Sequence, residues 1–300
     1  MARKNIFQLV EENYDIQSEV RKIYKLYKEY YYFTSDDDDY SLEYLMRWRI
    51  FSNWRYRGTC IEIEEFFQRA NADVPGIMSI RMPEESIINF LEIMENFVTL
   101  AYDYCETSKD DSDKEDNEEE DVYYYSEFET EFYALIKELE RHLGLTVRHY
   151  KDRVLVYRKN APLEKVIEIC DDEDIQWELI RYVREDLSLS EKRKTLAYLA
   201  TNLYIEEDKT ENEEPIRSIV KKANNILNNL HIRHNNKTGK WENQALKDIT
   251  EKDAIALCDM VYNEMLTIVL LREHKEYEKT YSEFTQKQRE VKAHKKIEED

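Results

Sequence analysis

The chain has 300 residues, 42% apolar and 36% charged, and a net charge of −21. It contains only 4 Gly and 4 Pro, far below the usual ~7% and ~5%, which excludes turn-rich β-sandwiches, barrels, Rossmann folds and P-loops. An acidic chain is also a poor general binder of nucleic acid, because such binding depends on neutralising phosphate, so any binding would need a local basic face.

Residues 1–144 are predicted to form a helical domain, because apolar residues recur there at three- and four-residue spacing. Pro75-Gly76 marks a turn, and Pro83 begins a long helix. Residues 106–121 contain ten acids, two lysines and no aliphatic residue, which is typical of a solvated acidic loop. The predicted helices of this half cover residues 5–32, 41–54, 62–70, 83–104 and 123–143.

The hydrophobic period changes after Gly144, a typical C-cap for the preceding helix. Leu145, Val147 and His149 alternate with other residues, and an apolar run follows at 153–157. This pattern predicts a β-hairpin over residues 145–158, the only strand signal in the chain. The predicted fold class is therefore all-α. Helical bundle domains occupy 1–144 and 161–300, with one small β-hairpin between the halves at 145–160.

In the C-terminal half, helices are predicted at residues 163–169, 171–186, 190–205, 216–231 and 252–279. Ser190 is the expected N-cap of the third of these helices, although Arg193 stands where a capping box would place an acid. The last 25 residues are almost wholly polar and are expected to form a frayed helical tail.

The four cysteines are widely scattered and form no CxxC pair, which indicates reduced thiols rather than a disulfide framework. No metal site and no cofactor are expected. The sequence shows neither a signal-peptide pattern nor a run of ~18 apolar residues that would span a membrane. We therefore expect a cytoplasmic protein that makes no contact with a membrane.

Residues 215–241 contain no acid, although 65 of the 300 residues are Asp or Glu. On a helix over 216–231, the apolar residues form one stripe, and cations and amides occupy the other face. Cations and amides without carboxylates suit contacts with phosphates and bases. The cations of this stretch are Arg217, Lys221, Lys222, Arg233, Lys237 and Lys240, and the helix leads into Arg233-His234-Asn235-Asn236.

Two other interpretations of this stretch remain open. Basic residues near a helix C-terminus are favoured by the helix dipole, and Asn pairs cap helices and form turns. Alternatively, the basic strip binds the acidic loop of the same chain or an acidic partner. A second Arg–His pair, Arg272 and His274, lies two residues apart on the last helix and is interpreted as surface charge.

Two segments resemble the C-terminal domain of bacterial HEPN-type proteins (higher eukaryotes and prokaryotes nucleotide-binding), including abortive-infection proteins. They are Leu187-Ser-Leu-Ser-Glu-Lys-Arg-Lys-Thr-Leu-Ala-Tyr-Leu-Ala and Ile226-Leu-Asn-Asn-Leu-His-Ile-Arg-His-Asn-Asn-Lys-Thr-Gly, followed by a long closing helix. The segment Phe51-Ser-Asn-Trp-Arg-Tyr-Arg-Gly-Thr-Cys-Ile-Glu-Ile-Glu-Glu-Phe-Phe is similar to the amino-terminal part of such proteins. The resemblance implies a helical bundle, often dimeric, that cleaves RNA in active members.

Active members of that family carry an Arg followed a few residues later by a His. The His acts as acid or base at the ribose 2′-hydroxyl, and the Arg stabilises charge on the phosphate. Arg233 occupies the place of the family Arg, but the later His position falls on Thr238, Gly239 or Lys240. Either His231 or His234 takes its place, or the domain binds RNA without cutting it, or the bundle has become an interaction module.

The resemblance therefore implies a metal-independent, RNA-binding or RNA-cleaving effector of bacterial antiviral defence that works as a homodimer. The alternative is a non-catalytic acidic helical adaptor, or an antitoxin-like protein, that binds a protein partner through the acidic loop. The candidate catalytic residues are Arg233 and His234. The candidate binding residues are Asn235, Asn236, Lys221 and Lys237.

Overall fold

The computed structural model describes residues 12–29, 31–35, 38–74, 81–112, 124–125, 132–203, 205, 216–230 and 249–299. The chain divides into two compact units, Met1–Lys159 and Asn160–Asp300. The described residues are predominantly helical, with two small antiparallel sheets. The predicted all-α class with a small hairpin is thus confirmed.

The first unit contains five α-helices and five strands within the described ranges. After a short helix at Leu42–Leu45, the chain continues as a π-helical turn, Met46–Ile50, and two 3₁₀ turns, Phe51–Asn53 and Arg55–Arg57. The elements are α1 Ile16–Glu29, β1 Tyr31–Ser35, β2 Asp38–Ser41, α2 Leu42–Leu45, α3 Ile63–Arg69, α4 Glu84–Ser112, β3 Tyr124–Tyr125, α5 Phe132–Leu143, β4 Leu145–Tyr150 and β5 Arg153–Arg158.

The predicted hairpin is present, and its pairing runs without interruption from Leu145–Arg158 to Tyr150–Arg153. Strand β5 docks on helix α4 through hydrogen bonds from its backbone. The Asn96 side chain both donates to the Val154 carbonyl (2.8 Å) and accepts from the Val154 amide (2.9 Å). These bonds satisfy the buried backbone groups of Val154 near the start of β5, where an unpaired group would be costly.

The second sheet, of strand order β2-β1-β3, was not predicted. The apolar period of α1 runs on into Tyr31, so the sequence predicted helix to residue 32, whereas α1 ends at Glu29. Residues 31–34 are aromatic or β-branched and suit a strand. Strand β3 likewise lies inside the helix predicted over 123–143, of which the described helical part begins at Phe132.

Helix α4 is longer than predicted and takes up the start of the proposed acidic loop. It continues to Ser112, so residues 106–112 are helical rather than loop. No Gly or Pro interrupts this stretch, and the Thr107 hydroxyl donates to the carbonyl of Asp103 at 2.9 Å. The rest of the predicted loop, residues 113–121, lies outside the described residues.

The described helices of the second unit are α6 Ala161–Ile169, α7 Glu173–Arg184, α8 Leu189–Asn202, α9 Ile216–Asn229 and α10 Glu251–Glu299. Helices α6, α8 and α9 all contact α10. The apolar residues of α10 that are buried against them lie in its first half: Ala254, Cys258, Val261, Tyr262, Met265, Leu266, Ile268 and Val269. Beyond Glu276 nearly every described side chain of α10 is exposed.

A polar network joins three helices of this unit. The carboxylate of Asp259 on α10 accepts hydrogen bonds from the Tyr182 hydroxyl of α7 (2.9 Å) and from Lys192 Nζ of α8 (2.6 Å). The ring of Tyr182 stacks on that of Tyr262 at 4.3 Å. Charged hydrogen bonds of this kind are about twice as strong as neutral ones, so the network fixes the register of α7 and α8 against α10.

Helix α10 is also the one described helix with an 18-residue window long and apolar enough to cross a membrane. The mean hydropathy of that window is 1.7, and 44% of it is buried inside the protein. No uninterrupted apolar run stands out in the sequence, because Asp259 and Glu264 divide it. Its apolar content matches the buried face that packs against the other helices of the unit.

Helix α8 begins one residue before the prediction and has a different cap. The Ser188 hydroxyl accepts from the Glu191 amide, and the Glu191 carboxylate accepts from the Ser188 amide at 3.0 Å. This is a complete capping box, which satisfies two amides that otherwise lack partners. The prediction of Ser190 as the N-cap was wrong because it placed the box at Arg193 instead of Glu191.

We therefore expect Ser188→Ala to lower the free energy of unfolding by about 1 kcal/mol, the usual cost of losing an N-cap. The matched control is Ser190→Ala, which removes the same hydroxyl two residues later and should cost less than about 0.5 kcal/mol. Chemical denaturation followed by circular dichroism measures both variants. Equal losses would contradict the assignment of the cap to Ser188.

Candidate nucleic-acid interface

Helix α9 carries the acid-free stretch and is amphipathic, as predicted. Its buried residues recur at helical spacing, and the helix packs against α10. Burial of this stripe holds the opposite face outward. The buried residues are Ile216, Val220, Ala223, Leu227 and Leu230.

The outward face of α9 borders a groove of about 700 Å³. Its cations, Arg217, Lys221 and Lys222, are all exposed. Within the described residues, the groove lining contains no carboxylate, and no ion pair engages these three side chains. Their charge is therefore directed to solvent. The described lining is Arg217, Ser218, Val220, Lys221, Lys222, Asn224, Asn225 and Asn228.

The amides that line the groove add hydrogen-bonding capacity to this charge. The side-chain oxygen of Asn224 is buried and accepts no hydrogen bond from any described residue. A buried acceptor without a donor costs about 1–3 kcal/mol. This oxygen is closed to solvent, so a ligand in the groove meets the exposed amides of Asn225 and Asn228 instead.

Of the six predicted site residues, the structure places one. Lys221 lies on the exposed face of α9, as the helical pattern predicted. The candidate catalytic residues Arg233 and His234, and the candidate binding residues Asn235, Asn236 and Lys237, follow α9 in the sequence but lie outside the described residues. Their roles stay predictions.

A second groove, of about 490 Å³, opens in the same unit between the α6–α7 connection, the end of α8 and helix α10. Arg272 lines it and donates from its guanidinium to the Leu203 carbonyl at 3.0 Å, so this residue also holds the end of α8. His274 Nε2 lies 3.4 Å from Glu278 Oε1. The groove mixes acids and bases and therefore favours no single charge of ligand.

The four cysteines are free, and three of them are buried. Burial, together with Asp171 and Asp172, raises the pKa of the Cys170 thiol, which lies at the second groove. Burial raises the pKa of Cys258 to about 11. Both thiols are therefore protonated and weakly nucleophilic at neutral pH. The described residues contain no cluster of three or more His, Cys, Asp or Glu side chains that could hold a metal ion.

The first unit contains a buried ionisable cluster that the sequence analysis missed. Glu95 of α4 and Glu140 of α5 are only 2% and 4% exposed. The ammonium group of Lys137 lies 2.8 Å from Glu95 Oε1 and 3.1 Å from Glu140 Oε2. The signal that could have revealed the cluster is the pair of acids that falls within otherwise apolar helix faces.

The Glu140 carboxyl of this cluster is protonated at neutral pH. Burial, and then the negative charge of Glu95, raise the pKa of Glu140 to about 8, although Lys137 opposes them. Burial alone would lower the pKa of Lys137, but its hydrogen bond and ion pair with Glu95 raise it overall. At neutral pH one carboxylate then faces one ammonium, which is the arrangement a protein core tolerates.

No known family model matches this chain, nor does any curated protein or solved structure.

The protonated state of Glu140 predicts a dependence of stability on pH. Its pKa is about 8 in the folded protein and near 4.5 when unfolded, so between these values the folded state binds more protons. The free energy of unfolding therefore falls as pH rises through this range. We expect Glu140→Gln to flatten this fall, as measured by the melting temperature between about pH 6 and pH 9.

The matched control is Glu138→Gln on the same helix. The hydrogen bond from Arg141 lowers the pKa of Glu138, so this carboxylate stays ionised between pH 6 and pH 9, and the variant should keep the wild-type slope. A Glu140→Gln variant that also keeps the wild-type slope would contradict the assignment.

Proposed function

We propose that the protein binds RNA through the exposed face of α9. The observation that carries the proposal is the composition of the groove beside this helix: three exposed cations and three amides, with no carboxylate among the described residues. This face belongs to a chain of net charge −21. Because no described acid pairs with these three cations, they are available to bind an external anion.

Because the whole chain is negatively charged, RNA binding depends on the local cations of this face. An acidic protein repels a polyanion at long range, so binding requires local cations that displace counterions from the phosphates. Arg217, Lys221 and Lys222 lie on adjacent turns of one helix and can contact consecutive phosphates of a single strand. Lysine and arginine contacts of this kind position the nucleic acid without reading its sequence.

The amides favour RNA over a simple phosphate ligand. Asn225 and Asn228 can donate to base edges or sugar oxygens, and their side-chain oxygens can accept from donor groups of the ligand. The ribose 2′-hydroxyl and the N–H groups of bases supply such donors. Unpaired bases are needed for these contacts, so the proposed ligand is single-stranded RNA.

The sequence that follows α9 extends the proposal. Arg233 provides a planar guanidinium suited to bidentate contact with phosphate, and Asn235, Asn236 and Lys237 continue the same chemistry. The resemblance to HEPN-type proteins motivates a role in antiviral abortive infection, with His234 as acid or base if RNA is cut. The departure of 238–240 from the family pattern favours binding without cleavage.

The first test compares the salt dependence of RNA binding. Neutralising both lysines in Lys221→Gln/Lys222→Gln should reduce the slope of log K against log salt concentration by roughly 1.4, since each phosphate contact on a single strand contributes about 0.7. Fluorescence anisotropy with a labelled single-stranded RNA measures this slope. The control, Lys194→Gln, removes one exposed charge from α8 and should keep the wild-type slope.

Two results of this experiment would contradict the proposal. If wild-type protein shows no RNA affinity at low salt, or if the double variant retains the full slope, α9 is not the binding face. A basic protein that co-purifies with an RNA-inactive chain would instead support the acidic adaptor.

The second test concerns Arg233 and His234. Purified protein is incubated with bulk and transfer RNA without metal, and the products are resolved by gel electrophoresis. We expect intact RNA, weaker binding by Arg233→Ala, and unchanged binding by His234→Ala. Cleavage by the wild type that His234→Ala abolishes would instead assign the catalytic role that the family resemblance implies.

A further inference from the structure

The two edges of the β4–β5 hairpin are used differently, and the edge of β5 is occupied. Val154 both donates to and accepts from the Asn96 side chain, and the Val156 amide donates to the Glu92 carboxylate at 2.9 Å. Backbone groups that face α4 cannot also face β4. Val154 and Val156 therefore direct their backbone groups away from the partner strand.

The register then assigns the backbone groups on the outer edge of β4. Val147 pairs with Val156, and His149 pairs with Val154. In an antiparallel ladder both members of such a pair point their backbone groups away from each other, so the amides and carbonyls of Val147 and His149 point outward. No described residue forms a hydrogen bond with these four groups. An open strand edge of this kind is a template for pairing with another strand.

The side chains along this edge differ between the two faces of the strand. Val147 is half-buried and packs against the apolar core of the first unit. Arg148 and Tyr150 lie on the opposite face, because successive side chains of a strand alternate. An added strand would thus place one set of side chains beside Val147 and the other set beside Arg148. Apolar and β-branched residues suit the first set, and acids suit the second.

The charge of the hairpin favours an acidic partner. Residues 145–153 carry three cations and one acid in a chain of net charge −21. The acid, Asp152, accepts a hydrogen bond from the Tyr56 hydroxyl at 2.7 Å and forms an ion pair with Arg55. A second copy would bring the same cations to this edge, and the two acidic chains would repel each other as a whole. An acidic strand is attracted by the local charge instead.

We propose that the outer edge of β4 binds an extended acidic peptide of a protein partner, which adds a third strand to the hairpin. The peptide runs antiparallel to β4, the more stable pairing. Its backbone bonds to Val147 and His149, its apolar side chains lie beside Val147, and an acid lies beside Arg148. Strand addition takes its affinity from main-chain hydrogen bonds and its specificity from alternate side chains. This interaction is separate from RNA binding, because no residue of β4 is among the described lining of the groove beside α9.

Synthetic peptides test both the charge and the backbone pairing. The probe is a labelled Glu-Val-Glu-Val-Glu peptide, whose two valines face Val147 and His149, and fluorescence anisotropy with the full chain measures its affinity at low salt. Glu-Pro-Glu-Pro-Glu keeps the charge but removes the two amides that would face β4. Lys-Val-Lys-Val-Lys keeps the valines and reverses the charge. We expect both controls to bind at least tenfold more weakly than the probe.

Two variants of one residue locate the site on the protein. His149→Pro removes the outward amide and leaves the ladder to β5 intact, since proline is tolerated where an edge amide has no partner in the sheet. We expect it to weaken binding of the probe roughly tenfold. His149→Ala keeps the amide and should bind as the wild type does. Thermal melts followed by circular dichroism check that both variants fold, and the comparison of the Val and Pro peptides decides the question if one does not.

Absence of probe binding overturns the proposal, as does equal binding of the Pro peptide, which would mean charge attraction without strand pairing. Equal affinity of the folded His149→Pro and His149→Ala variants would place the peptide elsewhere and would also overturn it. Self-association of the wild type in sedimentation equilibrium that His149→Pro abolishes would assign the edge to a second copy instead. None of these measurements contains RNA, so their outcome is distinguishable from failure of the proposed RNA binding.

Discussion

The first half of helix α10 is the constraint on which the second unit depends. Helices α6, α8 and α9 all contact it, so each must direct its own apolar face toward α10. The Asp259 carboxylate then fixes two neighbours at once, through Tyr182 and Lys192. Because burial of its apolar stripe against α10 leaves α9 no rotational freedom, the direction of its basic face follows from the core rather than from any ligand.

The two units of this protein treat their charged side chains differently. In the first unit, acids pair with bases or stay protonated, as Glu95, Lys137 and Glu140 show. On α9, no acid in the part of the chain that the structure describes pairs with Arg217, Lys221 or Lys222. An isolated surface ion pair contributes little to stability, so loss of acids from this face costs the fold little and leaves the cations available for phosphate.

The fold was predictable wherever one pattern dominated a segment. The alternation at 145–158 predicted the hairpin, and the stripe of α9 predicted which of its residues are buried, because both depend on local period alone. The sheet of β1, β2 and β3 was missed, since aromatic residues after Glu29 fit helix and strand equally well. The Glu95–Lys137–Glu140 cluster joins residues about 40 positions apart, and only tertiary packing brings them together.

The part of the candidate site that lies on α9 was also predictable from local sequence pattern. Absence of acids is a property of the sequence, and the 3.6-residue period assigns Lys221 to the exposed face. The positions of the Arg233 and His234 side chains could not be predicted in this way. They follow the helix in the sequence, and the helical period does not apply beyond the end of a helix.

Helix α10 supports the proposed binding face without forming part of it. Its buried first half packs against α9, whereas the described lining of the groove comes from α9 alone. A large-to-small substitution among the buried residues of α10 should therefore weaken RNA binding only through loss of the fold, whereas a charge change on α9 should weaken binding in a folded protein.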